Sequence, residues 1–151
     1  MKHEQRIGKA GEEMAAASLR RIGVHLVERI GTPVILIPAH EHAQKAPTYR
    51  VVFGEAVSGD HRGILIGGRS VLAETKTIFD RNLRWSDLRM HQPGRLDDHA
   101  AFGGLSILVW VHSTGVYPMR WPIKGFGAGK SISPEEAARL EMQSVDDDQA
   151  D

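Results

Sequence analysis

At 151 residues and 16.7 kDa, with 41% hydrophobic residues, the chain is sized for one globular domain with a real core and is too short for two. It has no cysteine, which excludes disulfides and cysteine-based zinc sites and suits a reducing compartment. No signal-peptide pattern opens it and no apolar run approaches the roughly 18 residues of a membrane span, so a cytoplasmic protein without membrane association is expected.

The net charge of zero hides an uneven distribution. Five of the 19 acids lie after Leu140, where there is no Lys or Arg, so over residues 1–140 the 19 basic residues face 14 acids, a net +5. Lys45, Arg50, Arg62, Arg69, Lys76, Arg81, Arg84, Arg89 and Arg95 gather mid-chain, and Lys2, Arg6, Lys9, Arg20 and Arg21 lie near the start. A basic body with an acidic tail is compatible with a nucleic-acid partner, because Lys and Arg neutralise phosphates and release counterions.

In chain order, the alanine-rich stretch from Glu4 to Ile22 predicts a helix with Gly23 as its C-cap and Ile7, Met14, Ala15, Ser18 and Ile22 on its core stripe. Gly8, Glu12 and Leu19 share a neighbouring face, so Glu12, or Glu13 beside it, can border the core and still reach a site. Val24 to Ile30 predicts a strand broken by Gly31-Thr32-Pro33, where Thr32 is either a phosphate contact or a plain turn residue. Val34–Pro38 and Tyr49–Val57 predict strands around a polar tip, in which His40 and His42 read as loop residues for want of further ligands nearby.

The segment from Gly59 to Lys76 carries the chemistry. Its apolar runs, Ile64-Leu65-Ile66 and Val71-Leu72-Ala73, predict a hairpin inside a packed sheet, ending in Glu74-Thr75-Lys76. Side chains alternate along a strand, so Glu74 and Lys76 project together, a carboxylate beside an ammonium. Asp60 and Glu74 are the kind of hard oxygen donors that Mg²⁺ takes, with the Thr75 main-chain oxygen as a further ligand and Lys76 beside an attacking water. Unless Asp60 sits just before regular pairing begins, sharing their face requires a three-residue loop, expected as Gly67-Gly68-Arg69, with Asp60 opposite Lys76 and Arg62 opposite Glu74.

Beyond Thr77, a basic stretch leads to Ser86 as an N-cap, a helix interrupted near Pro93, and a second helix from Pro93 to Phe102 stopped by Gly103-Gly104. Trp85 reads as core. Leu105–His112 and Gly115–Trp121 predict a buried hairpin, Lys124–Lys130 a flexible connector, and Ser133-Pro134-Glu135-Glu136 a capping box opening a last helix to about Met142. Residues 1–140 are expected as the single domain and 141–151 as a disordered acidic tail.

The order Gly8 to Glu12, Thr32-Pro33-Val34, Asp60 with Gly63, Glu74-Thr75-Lys76 and His91-Gln92 resembles the RecU-type Holliday junction resolvases of the PD-(D/E)xK nuclease superfamily, from about Gly8 to Trp121. The resemblance implies an α/β fold, a restriction-endonuclease-like mixed sheet flanked by helices, with a projecting β-stalk at about 34–57. It also implies a homodimer dependent on Mg²⁺ or Mn²⁺ that cuts four-way junction DNA symmetrically. Carried over by position, Asp60, Glu74 and Glu12 are metal ligands with the Thr75 main-chain oxygen, Lys76 positions water, and Gln92 faces the scissile phosphate. Thr32, Lys45, Arg50, Arg62, Arg81, Arg84 and Arg89 are the candidates for DNA contact. A PD-(D/E)xK nuclease of other specificity and a non-catalytic junction-binding factor are the alternatives.

Overall fold

In a computed structural model of the chain, the backbone is described for residues 3–31, 34–38, 49–53 and 60–146 and the side chains for 6–31 and 60–146. Helix α1 (His3–Ile22) ends as expected at Gly23, whose φ of +108° lets Gly23 N–H and Val24 N–H turn back to the Arg20 and Leu19 carbonyls. Its buried side is Ala15, Leu19 and Ile22 with Ser18, whereas Met14, expected on that stripe, is exposed. Gly11 decides how closely the helix can lie: a Cβ there would fall 2.0 Å from Thr77 Oγ1.

Strands β1 (His25–Arg29), β2 (Val34–Pro38), β3 (Tyr49–Phe53), β4 (His61–Ile64) and β5 (Ser70–Thr77) follow. A short β6 (Leu83–Arg84), a 3-10 turn at Trp85–Asp87, α2 (His91–Ala101), β7 (Leu105–His112), β8 (Gly115–Trp121), β9 (Ser131–Ile132) and α3 (Pro134–Leu140) complete the chain. The main sheet runs β1-β4-β5-β7-β8, with β5 and β7 parallel and the other pairs antiparallel. Only the parallel pair needs a crossover, and α2 supplies it.

Both faces of this mixed sheet are covered. Ala15, Leu19 and Ile22 of α1 pack on Val71, Ala73, Leu105, Ile107 and Val109. On the opposite face Leu96 of α2 and Ala137 of α3 join Leu108, Trp110, Met119 and Trp121, with Trp85 stacked on Trp121 at 5.9 Å between ring centroids. All eight residues of β7 are therefore buried. The arrangement is the α/β one expected and is consistent with a restriction-endonuclease-like fold. β2 and β3 pair antiparallel as a separate two-stranded sheet, while the tip between them lies outside the described residues.

Three expectations are corrected. The β4–β5 loop has three residues but is Ile66-Gly67-Gly68, since Leu65 N–H bonds to Arg69 O and both glycines have positive φ. A loop closing on Arg69 would force a branched-out side chain into the left-handed backbone that such loops require at their last position, and Gly68 avoids it. Ser86 caps no helix: it lies in the 3-10 turn, where Asp87 accepts from Arg84 N–H, and α2 is one helix with Pro93 in its first turn, where a missing N–H costs nothing. The folded body also runs past Leu140, because Met142 N–H bonds to Pro118 O, Met142 is buried, Val145 packs on the α1 side, and Glu141 pairs with Arg21.

Candidate active site

Sliding the loop back by one residue moves each cross-strand partner by two, which preserves the face. His61 pairs with Ala73 and Asp60 N–H bonds to Ala73 O at 2.8 Å, so the register carries Asp60 across from Glu74 instead of Lys76, and Arg62 across from Leu72. Asp60 is pinned on both sides: its carbonyl accepts from Ile30 N–H at 2.8 Å, and its Oδ2 accepts from Thr75 N–H at 2.7 Å. One carboxylate oxygen thus orders the β4–β5 end, which leaves the other for the space beyond.

That space is a cavity of about 390 Å³ at the carboxyl end of β5, lined among others by Glu12, Arg29, Asp60, Glu74, Thr75, Lys76, Arg89, His91 and Gln92. The five expected catalytic residues therefore share one chamber. Glu74 is 3% exposed, and its Oε1 lies 3.2 Å from Lys76 Nζ and accepts from Gln92 Nε2. Gln92 is itself fixed at the other end, since its Oε1 takes the Arg89 N–H at 2.7 Å. Because that N–H needs an acceptor, the amide nitrogen has to face Glu74.

Glu12 comes from the other layer. The close approach allowed by Gly11 sets α1 beside Thr77, and one residue on, Glu12 reaches the cavity and meets Arg29, with Nε to Oε2 at 2.7 Å and Nη2 to Oε1 at 3.2 Å. Burial pushes the Glu12 carboxyl above its ordinary range; Arg29 pulls it back, and the charges of Asp60 and Glu13 add to the rise. Glu13 is exposed on the rim of a second, adjoining cavity and not on this one.

The sequence matches no protein-family model, and no curated protein is significantly similar to it.

A divalent cation fits the donor chemistry here: three carboxylates and the Thr75 peptide supply hard oxygens, with no sulfur and no histidine pair among the expected ligands. The carboxylates are not gathered on one point, however. Among the described residues, no three Asp, Glu, His or Cys side chains converge as a metal-holding group. Glu12 is turned to Arg29 and Glu74 to Lys76 and Gln92, each already matched by a cation or an amide.

The expected DNA contacts divide. Arg89 lines the cavity. Arg62 faces Glu28 across the strands at 3.0 Å, Arg81 grips Asp87 with two bonds of 2.8 Å, and Arg84 is exposed on β6. Thr32 and Lys45 lie outside the described residues, as does the side chain of Arg50. His91, part of the His91-Gln92 pattern that carries the resemblance and an alternative proton carrier, lines the cavity beside Gln92; Arg29, also in the lining, was not anticipated and had no local signal beyond closing a strand before Gly31.

Proposed function

We propose that the chain is a structure-selective endodeoxyribonuclease, a RecU-type Holliday junction resolvase that works in the cytoplasm as a homodimer on four-way junction DNA with Mg²⁺ or Mn²⁺. The observation that carries this reading is the convergence of Asp60, Glu74 and Lys76, with Glu12 and Gln92, on a single cavity at the end of β5. A buried carboxylate and an ammonium in a strand otherwise lined with Val71, Leu72 and Ala73, with the Gln92 amide of α2 set against them, are costly to desolvate, and phosphodiester chemistry gives them a use.

Asp60, Glu74, Glu12 and the Thr75 main-chain oxygen would hold the cation. When bound, it would polarise the scissile phosphate and lower the pKa of a water. The chain's own groups do the rest. Hydrolysis breaks the P–O3′ bond and forms a P–O bond from water, leaving a 5′-phosphate and a 3′-hydroxyl, and negative charge grows on the phosphoryl oxygens as it does so. Lys76, held in place by Glu74, presents a positive charge to that growth. Gln92 keeps Glu74 from swinging toward Lys76 alone, and Arg89 stands on the rim where a neighbouring phosphate would lie. Preference for junctions would come from two such sites related by a dimer axis facing two opposed strands.

A labelled four-way junction and a matched duplex, each incubated with Mg²⁺ or EDTA, test the reading. Symmetric, Mg²⁺-dependent nicks in the junction are expected, and Asp60→Asn should abolish them while leaving the gel shift. Cutting of both substrates would point to another PD-(D/E)xK specificity, and a shift without cutting to a junction-binding factor. An Asp60→Asn protein that cuts at the wild-type rate would remove Asp60 from the site.

A further inference from the structure

Arg29 borders both the catalytic cavity of about 390 Å³ and the adjoining one of about 280 Å³, which Lys9 and Arg20 also line. Its guanidinium holds Glu12 by one hydrogen bond, Nη2 to Oε1 at 3.2 Å, and by a close ion contact, Nε to Oε2 at 2.7 Å, that leaves the buried Oε2 without a hydrogen-bond donor; a guanidinium serves a carboxylate or a phosphate equally. As long as that grip lasts, Glu12 cannot join Asp60 and Glu74 around one ion, which agrees with the lack of a converged trio among the described residues. A guanidinium and a divalent cation on the same carboxylate would also repel each other.

We infer that Arg29 is a phosphate-binding residue of this site and a gate on Glu12: without DNA it occupies the Glu12 carboxylate, and a backbone phosphate draws it away, handing Glu12 to the cation. This rests on the nuclease reading above. Each partner has a substitute at every stage. Glu12 exchanges an arginine for a metal ion, and Arg29 exchanges a carboxylate for a phosphodiester, so no charge is left uncompensated in a half-buried place. Metal and nucleic acid consequently bind with positive coupling, and the coupling is reciprocal.

The test uses the full chain. Mn²⁺ binding without DNA, read by EPR, should tighten in Arg29→Gln on the order of fivefold, the lower end of ordinary inter-site couplings. Arg20→Gln removes the same charge next door without touching Glu12 and should gain far less. In EDTA, Glu12→Gln should shift a four-way junction about as much more tightly, and Glu12→Gln/Arg29→Gln should lose that gain. A merely structural pair predicts Mn²⁺ affinity that is unchanged or weaker in Arg29→Gln; that result, or an equal gain in Arg20→Gln, overturns the gate. If Arg29→Gln melts early, Arg29→Lys keeps the charge but not the guanidinium and should show a smaller gain of the same sign. Wild-type cleavage of the junction is scored separately: cutting without the Arg29 effect sinks the gate and spares the nuclease, whereas a folded wild type that never cuts sinks the nuclease.

Discussion

Replacing Lys76 by Met removes the ammonium 3.2 Å from Glu74 Oε1 and leaves a carboxylate that is 3% exposed beside the neutral Gln92 amide. Breaking one half of a buried pair typically costs ~3–5 kcal/mol. The Lys76 side chain is 14% exposed and ends in the cavity, so water and counterions recover part of this, and about 2–3 kcal/mol is expected. For a domain of this size that is a fall in Tm of roughly 5–10 °C. Glu74→Leu alone strands Lys76 and the Gln92 amide and should cost a comparable amount. The double variant Glu74→Leu/Lys76→Met leaves just the amide without its acceptor, ~1–2 kcal/mol, and replaces an ion pair by apolar volume, a change that is often neutral or stabilising. It should therefore be more stable than either single variant, within about 1 kcal/mol of wild type, and inactive on junctions. Urea denaturation followed by circular dichroism in EDTA, alongside a cleavage assay, measures both. A double variant that loses the sum of the two single losses would mean that Glu74 and Lys76 do not couple and that each stabilises the fold on its own, which would contradict an ion pair kept for function rather than stability.

Gly11→Ala should destabilise by ~1–3 kcal/mol, because its Cβ would sit 2.0 Å from Thr77 Oγ1, and Thr77→Ala should relieve it; Gly8→Ala, with nothing within 4 Å, should instead stabilise by ~0.5–1 kcal/mol, both read by thermal melts. Burial raises the Glu12 carboxyl pKa, so the folded state binds protons more tightly and stability falls as pH climbs from about 4.5; Glu12→Gln should compare better with wild type at pH 7 than at pH 4, and the opposite order would contradict the assignment. Burial, and then Arg69, lowers the His99 pKa, so the unfolded chain binds more protons below 6.5 and wild type should lose stability as pH falls through that range. Neutral His99 bonds through Nδ1 to Ser106 Oγ and through Nε2 to Ser70 Oγ, and His99→Asn should flatten the slope between pH 7 and pH 5 in urea titrations.

Elements written by local rules were legible in the sequence. Ser133 and Glu136 form the expected capping box and α3 begins at Pro134, while the apolar run and the Ser113-Thr114 turn placed Leu105–His112 and Gly115–Trp121 to the residue. Parity along β5 put Glu74 and Lys76 together, and the requirement that Asp60 join them fixed the loop length although not its position. What escaped was set by partners distant in sequence. Met14 and Ser18, one turn apart, share a face on a helical wheel, and only the sheet beneath decides which is covered: Ser18 is buried and Met14 exposed. Asp87 could be read as a first-turn acid, but Arg81, six residues earlier, takes both its oxygens. Arg29 pairs with a glutamate 17 positions away on another element, and no periodicity announces such a pair.

The carboxylates reach the cavity from different layers, and the topology explains why they meet where they do. β5 and β7 run parallel, so the chain must leave the carboxyl end of β5 and cross over through α2 before β7 can begin. In open α/β sheets the crevice outside the carboxyl ends of the strands is where ligands gather, since the chain departs there and leaves side chains uncovered. The first turn of α2 passes over this end and delivers Gln92 to Glu74, while on the other face α1 comes in close at Gly11 and delivers Glu12. Neither helix can reach across the sheet interior, where β7 is buried throughout, so the strand end is the place at which residues of both layers can share one ligand. Gln92 ties that crossover to the chemistry: Gln92→Ala leaves Leu96 packed on the sheet but frees Glu74 to follow Lys76, and junction cleavage should fall much further than thermal stability.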